Sequence, residues 1–265
     1  MYSAKIYRFI NNNDLVKFSY SGLSNNGIYR GKHLGNIDIS NIDKFLSEHK
    51  ILDGIFKDLY LGDIITIKDG TYNADWIIAG FDTEYLKGDS EYVNKHHISL
   101  IPKTVLFNAR MNSTDTAQGG YYNSEMHMST LPTVANNLKK ALGNHLLSRR
   151  VLLSNSISDS AASMAGSGWT GCTNYWEWYD AYCTLLSEVQ CYGSTVFSSS
   201  FYDVGEGYEK LPVFNFIHPV TFERNTFWLR AIVTSILFAN AGAYGHSGYN
   251  GASFSYGVRP LIIVG

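Results

Sequence analysis

The residues able to do covalent or metal chemistry are few and scattered. Cys172, Cys183 and Cys191 are an odd number of thiols, with no C-x-x-C unit and no histidine pair at zinc-ligand spacing beside them. Free thiols, buried or half-buried, are the expectation, and no metal is expected. His96 and His97 are adjacent, so on a strand their rings would point to opposite faces and could not share one ion. His127, His145 and His218 are isolated in sequence, and each reads as a packed or surface side chain. Asp82 and Glu84 share a strand face beside a loop, whereas a glycosidase needs two carboxylates ~5–9.5 Å apart across a cleft. Gly166-Ser167-Gly168 and Gly193-Ser194 are too loose for a G-x-S-x-G nucleophile elbow, and no GxxxxGK[ST] phosphate loop occurs. Nothing in these residues demands an enzyme, and no cofactor is expected.

A different chemistry is concentrated near the end of the chain. From Ala231 to Val258 there is no Lys, Arg, Asp or Glu. Glycines at 242, 245, 248 and 251 fall every third residue, among Tyr244, His246, Tyr249 and Asn250. The tract is too short and too poor in proline for collagen, and fits short turns that hold such side chains outward. Tyr and His supply contact area with few rotors, while Asn, Ser and Gly supply adaptable hydrogen bonds, as in antibody combining loops. Tyr244, His246, Tyr249 and Asn250 are therefore the leading contact residues, with Asn240 and Ser253 behind them.

Positioning such a tract requires a compact α+β scaffold. Asp63–Ile67 and Trp76–Phe81 are β-rich runs that read as a hairpin, and His97–Pro102 is a third strand ended by its proline. Leu131, Val134, Ala135, Leu138, Leu142 and Leu146 recur at helical steps between Thr130 and Arg150, with Pro132 in the first turn. A second helix is expected over Thr173–Val189, where Trp176, Tyr179, Cys183, Leu186 and Gln190 lie near one stripe. Leu211–Ile217 reads as a strand, as does Ala231–Ala239, and Val258–Val264 returns to the core as the last strand. Residues 1–58 differ in texture, with a turn-prone Ser21–Gly27 stretch and a short helix from Ser40, capped by Ser40 and Asp43, that sets Ile42, Phe45 and Leu46 on one face. They read as a small anchoring arm or module, with the main domain over 59–265.

The whole is 265 residues, 45% hydrophobic, 14% aromatic and only 17% charged, which suits one large domain or a small appendage plus one domain. A chain of this length buries roughly three quarters of its unfolded surface and needs no disulfide or metal to fold. A net charge of −2 leaves no electrostatic footprint for nucleic acid or an anionic membrane. No apolar run approaches the ~20 residues of a membrane span, and Met1–Ile10 lacks the apolar core of a signal peptide. Synthesis in the cytoplasm without export by the general secretory route is the expectation.

Phe227-Trp228-Leu229-Arg230, followed after the Gly/Tyr/Asn/Ser tract by Ser255-Tyr256-Gly257-Val258-Arg259-Pro260, resembles the ending of C-type-lectin-like domains related to the formylglycine-generating-enzyme fold. Met111–Thr114 with Gly119-Gly120-Tyr121, His145–Arg150, Phe197–Asp203 and Ile28–Gly35 resemble structural proteins of phages of Gram-positive, low-GC hosts. The resemblance implies a C-type-lectin-like domain with two helices and short antiparallel sheets, in which the tract before the last strand displays ligand contacts. It carries that role to Asn240, Tyr244, His246, Tyr249, Asn250 and Ser253, and makes Arg230 and Arg259 framework residues. The paired cysteines of the enzyme branch are missing from 192–265, as are the Glu-Pro-Asn and Trp-Asn-Asp calcium signatures of animal lectins. The role implied is a virion-surface protein, as capsid decoration, head fibre or tail-tip receptor binder. It would attach to other virion proteins through its N-terminal region, touch a host glycan or protein, and act as a homo-oligomer. An enzyme on the same fold and a purely structural capsid cement are the rival readings.

Overall fold

The computed structural model describes residues 27–89, 93–157, 176–198 and 209–265. Residues 1–26 of the expected arm, Cys172, Gly166-Ser167-Gly168 and Phe201, Tyr202 and Asp203 lie outside the described residues. The first strand, β1 (His33–Ile37), leads into a turn where the Asp38 carboxylate accepts from the Ser40 amide and hydroxyl, and the Asn41 side chain accepts from the Asp38 amide. This turn starts α1 (Ile42–Glu48), in place of the expected Ser40–Asp43 cap; Asp43 instead meets His145 Nε2 at 2.8 Å. Ile42 and Leu46 are buried and Phe45 packs beside them, as the spacing predicts. The strand β2 (Ile64–Ile67) pairs parallel with β1, and Ile37, Ile42, Leu46, Ile51 and Phe56 join the core filled by later strands.

The next strand, β3 (Asp75–Phe81), returns antiparallel to β2 with Ile64 opposite Ile77, forming the expected hairpin. Alternation sends Trp76 and Ile78 to one core cluster and Ile77 and Ala79 to another. Burial on both faces explains why the run is apolar throughout rather than alternating. It is followed by β4 (Ile98–Pro102), ended by its proline, and β5 (Asn108–Ala109). A π-helical turn, Met126–Thr130, then runs into α2 (Leu131–Leu142), which buries Leu131, Val134, Ala135, Leu138 and Leu142. This helix stops short of the expected Arg150 because Gly143 takes a φ of +55°, where glycine carries no Cβ penalty. Leu146 accordingly belongs to β6 (Leu146–Leu147), followed by β7 (Arg149–Ser154).

The helix expected over Thr173–Val189 is replaced, across its described part, by β8 (Trp176–Ala181), β9 (Thr184–Leu185) and the single helical turn α3 (Glu188–Tyr192). All six residues of β8 pair antiparallel with β7, from Ser154–Trp176 to Arg149–Ala181. Aromatic side chains favour extended backbone once a partner strand is present, and Tyr179 stacks on Tyr122 with centroids 3.4 Å apart. The sequence Ser187-x-x-Gln190 makes a reciprocal capping box that starts α3. Leu211–Ile217 is not a strand but holds a 3-10 turn, Pro212–Asn215, opened by a proline with no N–H to give a ladder.

The chain closes with β10 (Phe227–Ile232), β11 (Leu237–Ala241), β12 (Ser247–Gly251), β13 (Tyr256–Gly257) and β14 (Pro260–Val264). The Ala231–Ala239 run thus divides between two strands around a turn tied by Val233 and Leu237. The largest sheet runs β1-β2-β3-β4-β14-β6 with β9 also on β14; a second runs β12-β11-β10-β13-β5; β7 and β8 pair by themselves. The sheets are not purely antiparallel, since β1–β2 and β10–β13 are parallel. As expected, the last strand lies deep in the core, with Ile262 and Val264 in one cluster and Leu261 in the other. The architecture is mixed α+β, mostly sheet with few helices. Among the described residues no helix is long and apolar enough to cross a membrane.

Candidate functional site

The charge-free tract is a β-hairpin rather than a series of short turns. The two strands β11 and β12 pair from Leu237–Gly251 to Ala241–Ser247, and the turn between them spans 242–246. Directly opposed residues share a face, so register assigns each candidate to a side. Tyr249 opposes Ala239 on the face toward the cluster that holds Leu229 and Ala231. Asn240 opposes Gly248 and Trp228, and Asn250 opposes Phe238, on the other face.

The Tyr249 face is fixed by a buried carboxylate. Glu188 Oε1 accepts from Ser247 Oγ at 2.9 Å, and its Oε2 accepts from the amides of Val196, Phe197 and Ser198, each at 2.9 Å. One side chain therefore ties α3, the 196–198 loop and β12 together. This brings Phe197 edge-on to the Tyr249 ring, with centroids 5.3 Å apart.

The opposite face is floored by Trp228, whose indole N–H donates to the Ala109 carbonyl at 2.9 Å. The Tyr256 ring stands against Trp228 at 5.0 Å, Phe254 stacks on Tyr256 at 6.3 Å, and Asn250 donates to the Tyr256 hydroxyl. The glycine spacing has a packing cause. A Cβ on Gly242 would strike the His246 ring, one on Gly248 would meet Asn240 Oδ1 at 2.8 Å, and one on Gly251 would meet the Asp115 carboxylate. At Gly245 the requirement is double, because φ is +90° and the His218 ring fills the space a Cβ would take. Each glycine is the seat of a polar or aromatic side chain.

The structure places the six predicted residues unevenly. Tyr244, 84% exposed at the tip, Tyr249, 42% exposed, and His246 are available to a partner. Asn250 is half-buried and tied to Tyr256, and Ser253 is half-buried with its amide donating to Asp115 Oδ1 at 2.8 Å. That amide, with the serine side chain, holds the Asp115 carboxyl below its ordinary range. Asn240, 4% exposed, is floor rather than outward contact. His246, Asn240 and Asn250 flank Gly248 on one face, whereas Tyr249 lies on the other. Phe254, 51% exposed, and Tyr256 complete the aromatic surface but were not among the predicted contacts, although both lie in the tract. Asp115, Phe197 and His218 are distant in sequence and carry no local signal.

The other candidates are structural. His96 and His97 share one acceptor, Asp82: His96 Nδ1 lies 2.8 Å from Oδ2 and the His97 amide donates to Oδ1. Asp82 and Glu84 lie in the turn after β3, not on a common strand face; Glu84 gives its amide to His97 Nε2 and sets its carboxylate 3.9 Å from Arg149. Burial lowers the His97 pKa from its ordinary value. Cys183 and Cys191 are free and buried, and burial pushes each thiol up to about 12, far from a ready thiolate. Arg259 binds the Pro102 carbonyl at 2.7 Å and the Pro219 carbonyl while lying over Phe227, and burial pulls it down to about 10. Arg230 is buried on β10. Among the described residues no group of three or more His, Cys, Asp or Glu could hold a metal ion. Comparison with known proteins gives no match, whether to a family model, a curated protein or a solved structure.

Proposed function

We propose that this chain is a virion-surface structural protein of a phage or phage-like particle, displaying a C-type-lectin-like domain for non-covalent binding. The observation that carries the binding role is the anchored hairpin. Its backbone is fixed by Glu188 and by the glycine seats, and it exposes Tyr244, Tyr249 and Phe254 beside His246 and Asn250 with no charged residue in the tract. Rigid rings and amides offer stacking and hydrogen bonds at small entropic cost, which suits a glycan or protein on the host surface. The virion location rests on the resemblance of the N-terminal and middle motifs to phage structural proteins, and the N-terminal region is the proposed attachment to other virion proteins. Weak contacts would be multiplied by avidity in a homo-oligomer carried in many copies.

Immunogold electron microscopy of purified particles, with antibody against residues 59–265, tests this role. Label on heads supports decoration or a head fibre, and label at the tail tip supports receptor recognition. Unlabelled particles in a lysate where the protein is soluble overturn the virion reading and bring the enzyme reading forward. Particles carrying Tyr249→Ala with Phe254→Ala should assemble and adsorb poorly to the host. Impaired assembly with normal adsorption would indicate a capsid cement instead.

A further inference from the structure

A hollow of about 200 Å³ opens along α2, against the segment from Asp180 to Cys183, and shares no residue with the hairpin. Leu131, Pro132 and Ala135 form its apolar wall, with His127 toward one end and Lys139 toward the other. A neighbouring hollow of about 370 Å³ is reached past Lys139 and Tyr182, which line both.

His127 lies in the π-helical turn that precedes α2, a distortion frequent at functional sites. It is 8% exposed and held by the rings of Tyr121 and Tyr122, at 5.1 and 5.3 Å. Its Nδ1 is buried and has no hydrogen-bond partner. An orphaned buried N–H is rarer than a bare acceptor, so the proton of the neutral ring belongs on Nε2, which makes that atom a donor. Burial, followed by the charge of Arg230, holds the ring neutral with its pKa lowered to about 4.

Lys139 Nζ sits 3.5 Å over the Tyr182 ring and makes no ion pair among the described residues. Asp180, the acidic residue on the rim, is engaged by Arg150 at 3.4 Å. His127 and Lys139 are twelve positions apart, about 18 Å of helical rise. The lysine side chain leans back toward the helix N-terminus and shortens that gap, but one compact anion cannot touch both.

We propose that this groove binds an elongated small molecule with a carboxylate at the Lys139 end, an apolar middle against Leu131 and Ala135, and a hydrogen-bond acceptor at the His127 end. The carboxyl terminus of a short apolar peptide, which spans about 3.4 Å per residue when extended, has this chemistry and this length. The ammonium over Tyr182 receives the carboxylate, the apolar wall receives the side chains, and the imidazole N–H donates to a peptide carbonyl two or three residues before the carboxylate. The site is independent of the hairpin surface and of any virion role.

The test is a titration of the full chain with the tripeptide N-acetyl-Ala-Leu-Ala at pH 7, followed through the histidine Cε1–H signals by NMR. The His127 signal should shift saturably in the millimolar range. The C-terminal amide of the same tripeptide, which lacks the charge, should bind about tenfold more weakly. Lys139→Met should show the same loss while its free-state histidine spectrum matches that of the parent, and Lys139→Arg should retain binding. Absence of a saturable His127 shift overturns the site, and equal binding of acid and amide overturns its anionic end. The acid–amide comparison uses the unaltered chain and so decides even if a substitution disturbs folding.

Discussion

Replacing Glu188 with Gln removes a charge and little else. The amide oxygen can still accept from the three amides of Val196, Phe197 and Ser198, while its NH2 can donate to Ser247 Oγ once that hydroxyl rotates. What is lost is charge assistance. Hydrogen bonds to ionised groups contribute about 1 kcal/mol more than neutral ones, so three backbone bonds predict a loss of about 3 kcal/mol. With a urea dependence of about 2–3 kcal/mol per molar, the unfolding midpoint should fall by about 1 M. Ser247→Ala, which removes one of the four bonds, should cost about 1 kcal/mol. Equilibrium urea unfolding followed by tryptophan fluorescence and by far-UV circular dichroism gives both numbers, and coincident curves license the two-state treatment. A Glu188→Gln midpoint within about 0.2 M of the parent would refute the reasoning, because the three amide bonds would then draw no strength from the carboxylate.

Three further outcomes follow from named contacts. His127 is held neutral with its pKa lowered from 6.5 to about 4, so the unfolded chain takes up its proton first; stability should fall by about 3 kcal/mol as pH drops from 6.5 to 4. His127→Gln should flatten that part of a stability–pH profile, and an unchanged slope would count against the burial described. Gly245→Ala should destabilise by more than Gly70→Ala, since both have positive φ but only Gly245 has a ring, His218, where the Cβ would sit; the backbone alone accounts for roughly 1–2 kcal/mol at each, and equal thermal shifts would remove the His218 seat from the explanation. In a Cys172→Ser chain, Cys183 and Cys191 should resist a thiol reagent at pH 8 until the protein is unfolded, and rapid labelling of either in the native state would contradict their burial.

How much of this is legible in the sequence depends on how many partners each segment needs. The β2–β3 hairpin, β4, α2 and β14 can be read because their apolar patterns are complete in themselves: Trp76–Phe81 is apolar on both faces, and Leu131–Leu142 repeats at helical steps. The Trp176–Ala181 segment cannot, because its aromatic spacing satisfies a helix equally well and only pairing with Arg149–Ser154 decides against it. The same limit applies to the site. The tract is visible as a charge-free run of Tyr, His, Asn and Gly, but which side chains emerge depends on strand register: Asn240 turns inward beside Gly248 while Tyr249, next to that glycine, turns to the opposite face. Asp115 and Glu188 are invisible as members of the site because folding, not sequence proximity, brings them there.

The position of β14 has a consequence for how the protein can be made. Its five residues join β4, β6 and β9, segments that precede it by more than seventy positions or more than a hundred. During synthesis those partners emerge from the ribosome long before the strand that unites them, and until residue 264 is clear of the exit tunnel they have no shared neighbour. Chains that stop before residue 260 therefore lack the central seam of the sheet and expose Leu100, Ile98 and Leu185 to proteases and chaperones. A domain that can close therefore requires synthesis through β14.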